Sequence, residues 1–222
     1  MSSACFHELN REAYLFDVDG TLVDSSPVHE ACFQAVLAER FPYALERFDY
    51  STVVGWRTED VFRTLRLTSD AATIRSLTAA KQALYRQAIE GGNVQSFPDV
   101  RDTLKLLVKE RRRLYVVTGG SAVSTARVLE RTHLRELFSG CITADDVHAG
   151  KPDPAPFLCA LERFQLDPSR CLTVEDSEDG ALSSERAGIA VVLVNRPDAM
   201  IGRIAFASFG QFKLALQRTF ED

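Results

Sequence analysis

The chain carries no surplus of positive charge: 26 Lys and Arg stand against 31 Asp and Glu, for a formal charge of −5. A mildly acidic protein gains no electrostatic help in binding a polyanion, so no nucleic-acid partner is expected. Long hydrophobic runs are also absent. The longest, AGIAVVLV at 187–194, falls far short of the roughly 20 apolar residues that span a bilayer, and no membrane partner is expected. The first residues lack the basic-then-apolar order of a secretory leader, which makes a cytoplasmic location the expectation. Five cysteines (Cys5, Cys32, Cys141, Cys159, Cys171) include no CxxC pair and are odd in number. Free, mostly buried thiols in a reducing compartment are the expected state. No internal repeat or low-complexity stretch occurs. What is present is an ordinary globular composition, 45% apolar and 26% charged over 222 residues, enough for one large domain or two modest ones.

Short apolar runs alternate with helical patterns. AYLF (13–16), LYVVT (114–118), CLTVE (171–175) and AVVLV (190–194) read as buried strands. Helical patterns lie between them at about 99–110, 121–132, 154–164 and 178–187, with Pro98-Asp99 and Asp153-Pro154 supplying helix-start chemistry. Such alternation predicts an α/β fold, a doubly wound parallel sheet covered on both faces, with ligands at the carboxyl ends of the strands. The stretch from 24 to 95 breaks the pattern. It holds helical segments near 27–40, 58–67 and 70–90 and is too long for a loop. The expected organisation is therefore an α/β core of residues 1–23 and 96–222, interrupted by an inserted all-helical cap of residues 24–95. Ser25, Ser26, Gly92 and Pro98 at its two tethers form a plausible hinge, and a hinged helical unit above the strand ends excludes water during chemistry.

The chemistry concentrates in residues 15–25, LFDVDGTLVDS. An apolar strand runs into Asp17 and Asp19, and carboxylates at i and i+2 share a strand face. Two such charges call for a shared proton or a cation between them. Mg²⁺ takes one or two carboxylates and leaves its other positions to water and phosphate. A calcium loop would continue with oxygen ligands, whereas this chain continues with Leu22 and Val23. VVTGGS (116–121) ends a strand with the hydroxyl of Thr118 and with glycines whose N–H groups can face a phosphate. GKPDP (150–154) places Lys151 before a proline-fixed turn, and VEDSEDG (174–180) ends a strand with a second acidic pair, Glu175 and Asp176. Each of the three is weak alone: a simple turn, a solvated lysine, an acidic helix start.

In this order, each at a strand end, the four segments resemble the four motifs of the haloacid dehalogenase-like superfamily of phosphotransferases, over nearly the whole chain and with a helical cap after the first motif. The resemblance implies a Rossmann-like core and a phosphatase. It assigns Asp17 as a nucleophile that forms an aspartyl-phosphate. It makes Asp19 the general acid and then the base. Thr118, Gly119 and Lys151 become holders of the phosphoryl oxygens, and Asp17, the Asp19 carbonyl, Glu175 and Asp176 ligands of Mg²⁺. The dehalogenase branch needs neither the second aspartate nor the acidic cluster, and this chain has both.

For substrate, the cap segment GWRTEDVF (55–62) is the informative one. Trp56 offers a flat apolar wall and Arg57 a contact to a second charge or to sugar hydroxyls. His29 and Lys81 are further candidates from the cap. The expected substrate is a small phosphorylated metabolite, a sugar or polyol phosphate first, acted on by a monomer or weak homodimer. The alternatives are a phosphomutase resembling β-phosphoglucomutase, a phosphoglycolate phosphatase, and an idle sugar-phosphate sensor. Thr58 stands where such mutases often carry an arginine, and Glu175 where the phosphoglycolate enzymes usually have glycine. The sensor reading is opposed by the intact set of motif residues.

Overall fold

The computed structural model describes residues 8–196 and 203–221. Along the chain come β1 (Ala13–Phe16), β2 (Val23–Asp24), α1 (Ser26–Arg40), α2 (Thr58–Thr64), α3 (Ala71–Glu90) and β3 (Gln95–Ser96). Strands and helices then alternate as α4 (Val100–Lys109), β4 (Arg113–Val117), α5 (Ala122–Arg131), β5 (Gly140–Ile142), α6 (Ala155–Arg163) and β6 (Cys171–Glu175). The chain continues through α7 (Glu178–Arg186), β7 (Ala190–Leu193), β8 (Ile204–Ala205) and α8 (Phe209–Glu221).

Six strands make one parallel sheet in the order β5-β4-β1-β6-β7-β8. β1 is buried along its whole length, with Ala13 in register with Arg113 on one side and Cys171 on the other. Its side chains alternate between two cores. Tyr14 and Phe16 join Leu107, Val128, Phe209 and Phe212 from α4, α5 and α8. Ala13 and Leu15 join Tyr115, Ile142, Phe157 and Ala160 on the opposite face. A strand covered on both faces must be apolar at every position, which is why AYLF shows no alternation. α7 packs on that second face, where the Ser184 hydroxyl donates to Thr173 Oγ1 at 2.7 Å.

The four expected strands and the four expected core helices are all present, to within about a residue or two at their ends. β5, β8 and α8 are not foreshadowed by the sequence pattern. Strands of three and two residues leave too little periodicity to see. In α8, Gly210 falls in the first turn and reads as a turn signal, although Phe209, Phe212 and Leu216 are fully buried.

Between β2 and β3 the chain builds α1, α2 and α3 with two short 3₁₀ turns, Pro42–Arg47 and Tyr50–Thr52. Phe33, Leu37, Val53, Phe62, Ile74 and Leu77 form an apolar cluster of this unit's own. Asp70 starts α3 by accepting from the Ala72 and Thr73 amides. The foot of the unit merges with the sheet: Tyr85, Ile89 and Cys32 belong to the same cluster as Phe16 and Val116. β2 and β3 pair antiparallel, Val23 with Ser96 and Asp24 with Gln95, so the two connections run side by side.

Cys32 and Cys171 are buried and Cys141 and Cys159 half-buried, all unbridged; Cys5 lies outside the described residues. No helix among the described residues is long and apolar enough to cross a membrane.

Phe157 is fully buried on the Leu15 face, whereas its neighbour Leu158 is 48% exposed. Phe157→Ala is expected to cost about 3–5 kcal/mol and Leu158→Ala under about 0.5 kcal/mol. Urea unfolding, read as a lowered midpoint at constant m-value, checks both.

Candidate active site

Asp17, Thr118 and Asp176 sit just past the ends of β1, β4 and β6, and Glu175 is the last residue of β6. Lys151 is not at a strand end as expected but nine residues beyond β5, brought back by the intervening loop. β1 stops at Phe16, and the Asp17 amide adds one more rung by donating to Val174 O at 3.1 Å. The chain then leaves the strand, so a shared strand face is not what relates Asp17 and Asp19. Their carboxyl groups have different neighbours but line one cavity. Gly20 takes the turn at φ +86°, and a side chain there would run into the Asp176 carboxylate. Thr21 Oγ1 donates to Asp176 Oδ1 at 2.8 Å. From the loop after β7, the Asn195 amide donates to the carbonyls of Gly20 and Thr21 at 2.9 and 3.0 Å.

Lys151 is 4% exposed and follows the loop from β5, joined to Pro152 by a cis peptide. Its Nζ donates to Asp17 Oδ1 at 2.6 Å, to Glu175 Oε1 at 2.5 Å and to Val117 O at 3.0 Å. An ammonium has three protons, and all three are used. A phosphoryl oxygen therefore reaches Lys151 only by displacing one of these acceptors. Glu175, wholly buried, also accepts from the Asp176 and Ser177 amides and from the Ser177 hydroxyl.

Asp17, Glu175 and Asp176 each offer an oxygen within 4.8 Å of the others. Three carboxylates crowd together here, and the one ammonium touches two of them. Burial pushes Asp17 well above the usual carboxylate range; Lys151 opposes this, while Glu175, Asp176 and Asp19 add to it. Burial and the neighbouring Glu175 push Asp176 up to about 7. Such a site is short of positive charge, and its donors are hard oxygens that suit Mg²⁺. The residues present therefore fit a divalent cation.

Asp19 Oδ1 accepts from Ser25 Oγ at 2.6 Å and from Tyr85 Oη at 2.8 Å, with His29 Nε2 at 3.0 Å. The histidine contact is close but off-line, and Nε2 has no hydrogen-bond partner. Burial favours a protonated Asp19, but His29 and the two hydroxyl donors outweigh it and hold the group below its ordinary value. His29 is itself lowered by burial and by Lys81. Lys81, from α3, is 2% exposed. It touches His29 Nδ1 and stands 4.5 Å over the Phe33 ring, and burial pulls it down to about 8.

A cavity of about 40 Å³ lies between these groups, bounded by Asp17, Asp19, His29 and Lys81, by Thr118 with Gly119, and by Tyr50 and Trp56 from the helical unit. Thr118 Oγ1 accepts from the Gly120 amide at 3.0 Å. His29, Lys81 and Trp56 thus meet the motif residues in one place. Arg57 does not. As N-cap of α2 it packs against the core loop at Gly150, donating to His148 O at 2.8 Å with Asp60 3.9 Å away, and Thr58 lines the cavity instead. Ser25, Tyr85 and Asn195 complete the site; the sequence marked Ser25 only as a hinge residue and did not single out the other two. Ser25 and Ser177 flank motifs and were readable as hydroxyl partners there. Tyr85 and Asn195 arrive from distant segments and carry no local signal.

Oxygen ligands beside a lysine-held carboxylate, beneath a helical insertion, define a hydrolase of the phosphoryl-transfer class. Residues 14–194 match the family described as haloacid dehalogenase-like hydrolase, and the chain belongs to that family. It is 28% identical over 181 residues to the phosphorylated carbohydrates phosphatase of Thermotoga maritima, covering 80% of this chain and 82% of that one. It is 29% identical over 187 residues to the phosphoglycolate phosphatase of Nitrosospira multiformis, covering 82% of each. Its fold matches the crystal structure of CbbY from Rhodobacter sphaeroides in complex with phosphate, with a TM-score of 0.78, 23% identity, and 93% and 99% of the two chains covered. These findings make the protein a phosphoric monoester hydrolase.

Stability should register the charge deficit. Asp17 and Asp176 are raised above their unfolded values, so the stability they contribute is present at low pH and is lost as pH rises through their folded values, for Asp176 near 7. In EDTA, Tm is expected to fall between pH 5.5 and 8. Mg²⁺ stabilises the ionised carboxylates, so the rise in Tm on adding it should grow over the same range. Saturation at 100 times Kd corresponds to about 2.7 kcal/mol. Asp176→Asn should shrink the Mg²⁺-dependent gain. Scanning calorimetry with and without metal measures each.

Proposed function

We propose that the protein hydrolyses a small sugar or polyol phosphate through an aspartyl-phosphate on Asp17. The observation that carries this reading is the buried Lys151 held between Asp17 and Glu175, with Asp17 and Asp19 both lining the adjoining cavity. Asp17, Glu175, Asp176 and the Asp19 carbonyl would hold Mg²⁺, which when bound screens the charge of the phosphate and of the attacking carboxylate. Lys151 orients Asp17 and supplies part of the counter-charge its ionised form needs, and one of its hydrogen bonds is redirected from a carboxylate to a phosphoryl oxygen when substrate enters. An Asp17 oxygen forms the new bond to phosphorus as the bond to the leaving oxygen breaks. Asp19 gives its proton to that oxygen, then takes one from the water that releases inorganic phosphate.

His29, Ser25 and Tyr85 together favour the ionised form of Asp19, the form needed for the second step. The first step needs it protonated, and a dianionic phosphoryl group beside it drives the group that way. Thr118 and the Gly119 amide face the same cavity and supply the remaining contacts to the phosphoryl group.

The choice of a hydrolase over a phosphomutase is supported by the cap. A mutase must anchor a second phosphate, and Arg57 is directed away from the cavity toward His148. Lys81 remains as the cavity's one cap-borne cation among the described residues.

The test is phosphate release from sugar, polyol and short acid phosphates, 2-phosphoglycolate included, with and without Mg²⁺. Asp17→Asn is expected to fall to background with its fold intact by circular dichroism, and release should require metal. Conversion of a hexose phosphate into its positional isomer, without release, would replace hydrolysis by the mutase reaction. In the same assay Tyr85→Phe removes a donor to ionised Asp19. It should move the limb of the pH–rate profile that belongs to Asp19 to higher pH.

A further inference from the structure

Three consecutive cap residues each meet a core loop that follows a different strand. Gly55 lies so close over Gly119, after β4, that a methyl group there would stand 2.6 Å from the Gly55 carbonyl oxygen. Arg57 donates to His148 O, in the loop that leads from β5 to Lys151. Between them the Trp56 indole N–H donates to the Asp179 carboxylate, after β6 in the first turn of α7. An indole nitrogen is a donor only, and a half-buried one needs an acceptor. Here the acceptor is not in the cap but 123 residues further along the chain, on the core. Trp56 lines the inner cavity, and Asp179 lines an outer cleft of about 320 Å³ together with Ser51 and Arg196. The pair therefore bridges the seam between the space where chemistry is proposed and the surface.

We propose that Asp179 is a positioning residue that bolts the cap loop shut over the site by accepting the hydrogen bond of the Trp56 indole. This rests on the proposed phosphatase reading, in which the cap closes over Asp17 for turnover. The bond joins a neutral donor to a charged acceptor and exists only when cap and core are together, so it shifts the open–closed equilibrium rather than the chemistry. Asp179 touches none of the reacting groups. The competing role for an acidic residue in a helix's first turn is to complement the helix dipole, which would stabilise α7 and leave Trp56 unaffected.

Trp56 is the chain's one tryptophan, so the protein labelled with ¹⁵N gives a single indole cross-peak. With Mg²⁺ and inorganic phosphate, that proton is expected downfield and protected from exchange. In Asp179→Ala it should move upfield and exchange faster, with kcat/KM lower by about tenfold, mostly through KM (about 1.4 kcal/mol). Asp179→Asn keeps an acceptor oxygen and should recover most of the loss. Trp56→Phe keeps the aromatic wall without the N–H and should show the same fall in kcat/KM. An indole signal indifferent to Asp179→Ala, in a variant that loses only Tm, would overturn the bolt in favour of the dipole role. Unchanged kcat/KM in Trp56→Phe would overturn it as well. An Asp179-dependent indole signal in a protein that releases no phosphate from any substrate would leave the bolt standing and remove the phosphatase reading. Release without that signal would do the reverse.

Discussion

At the centre of the molecule one ammonium group faces two carboxylates with no water between them. Lys151 cannot be moved without leaving Asp17 and Glu175 opposed, and breaking a buried ion pair costs about 3–5 kcal/mol. Its third proton goes to Val117 O, the last carbonyl of β4, so a single side chain fixes the ends of β1, β4 and β6 relative to one another. The same arrangement supplies Asp17 with orientation and with only part of the counter-charge it needs. Structure and reactivity here come from one shortage of positive charge, which a divalent ion would relieve.

That shortage sits where the fold permits it. Parallel strands that end together leave their last carbonyls and the next side chains at one edge of the sheet, and helices start immediately beyond. Ser121 and Ser177 open α5 and α7 by capping them with their hydroxyls, which turns the chain sharply enough to bring Thr118 and Glu175 into one small volume. The mechanical demands on these turns account for Gly20, where any side chain would displace Asp176.

The sheet and the four core motifs were legible because their signals are local. A fully buried strand is apolar throughout, and three of the motifs follow one directly; the Lys151 motif, nine residues beyond the short β5, was legible from its own residues. β5, β8 and α8 lacked such a signal, being too short or opened by Gly210. The site divides in the same way. Asp17, Asp19, Thr118 and Gly119 line one cavity with His29, Lys81 and Trp56 from the cap, and Lys151, Glu175 and Asp176 gather around Asp17. Tyr85 and Asn195 depend on how distant segments pack, which no short window encodes. Arg57 shows the limit from the other side. Its position in the cap loop was readable, but the direction of its side chain is decided by the carbonyl of His148, a partner 91 residues away.

The ribbon formed by β2 and β3 makes the helical unit a replaceable part. Its two ends leave the sheet at paired residues, Val23 beside Ser96, so β1 and α4 experience the insertion as a closed loop whatever its contents. Closing a longer loop costs little extra, about 0.6 kcal/mol for each doubling of length. A different set of helices fits between the same two residues only if it also replaces the apolar foot that Cys32, Tyr85 and Ile89 give the core and the hydroxyl that Tyr85 gives Asp19. The insertion is thus closed at its ends and continuous with the core at its foot: it is one contiguous, exchangeable segment, and whatever fills it also sets the surroundings of Asp19.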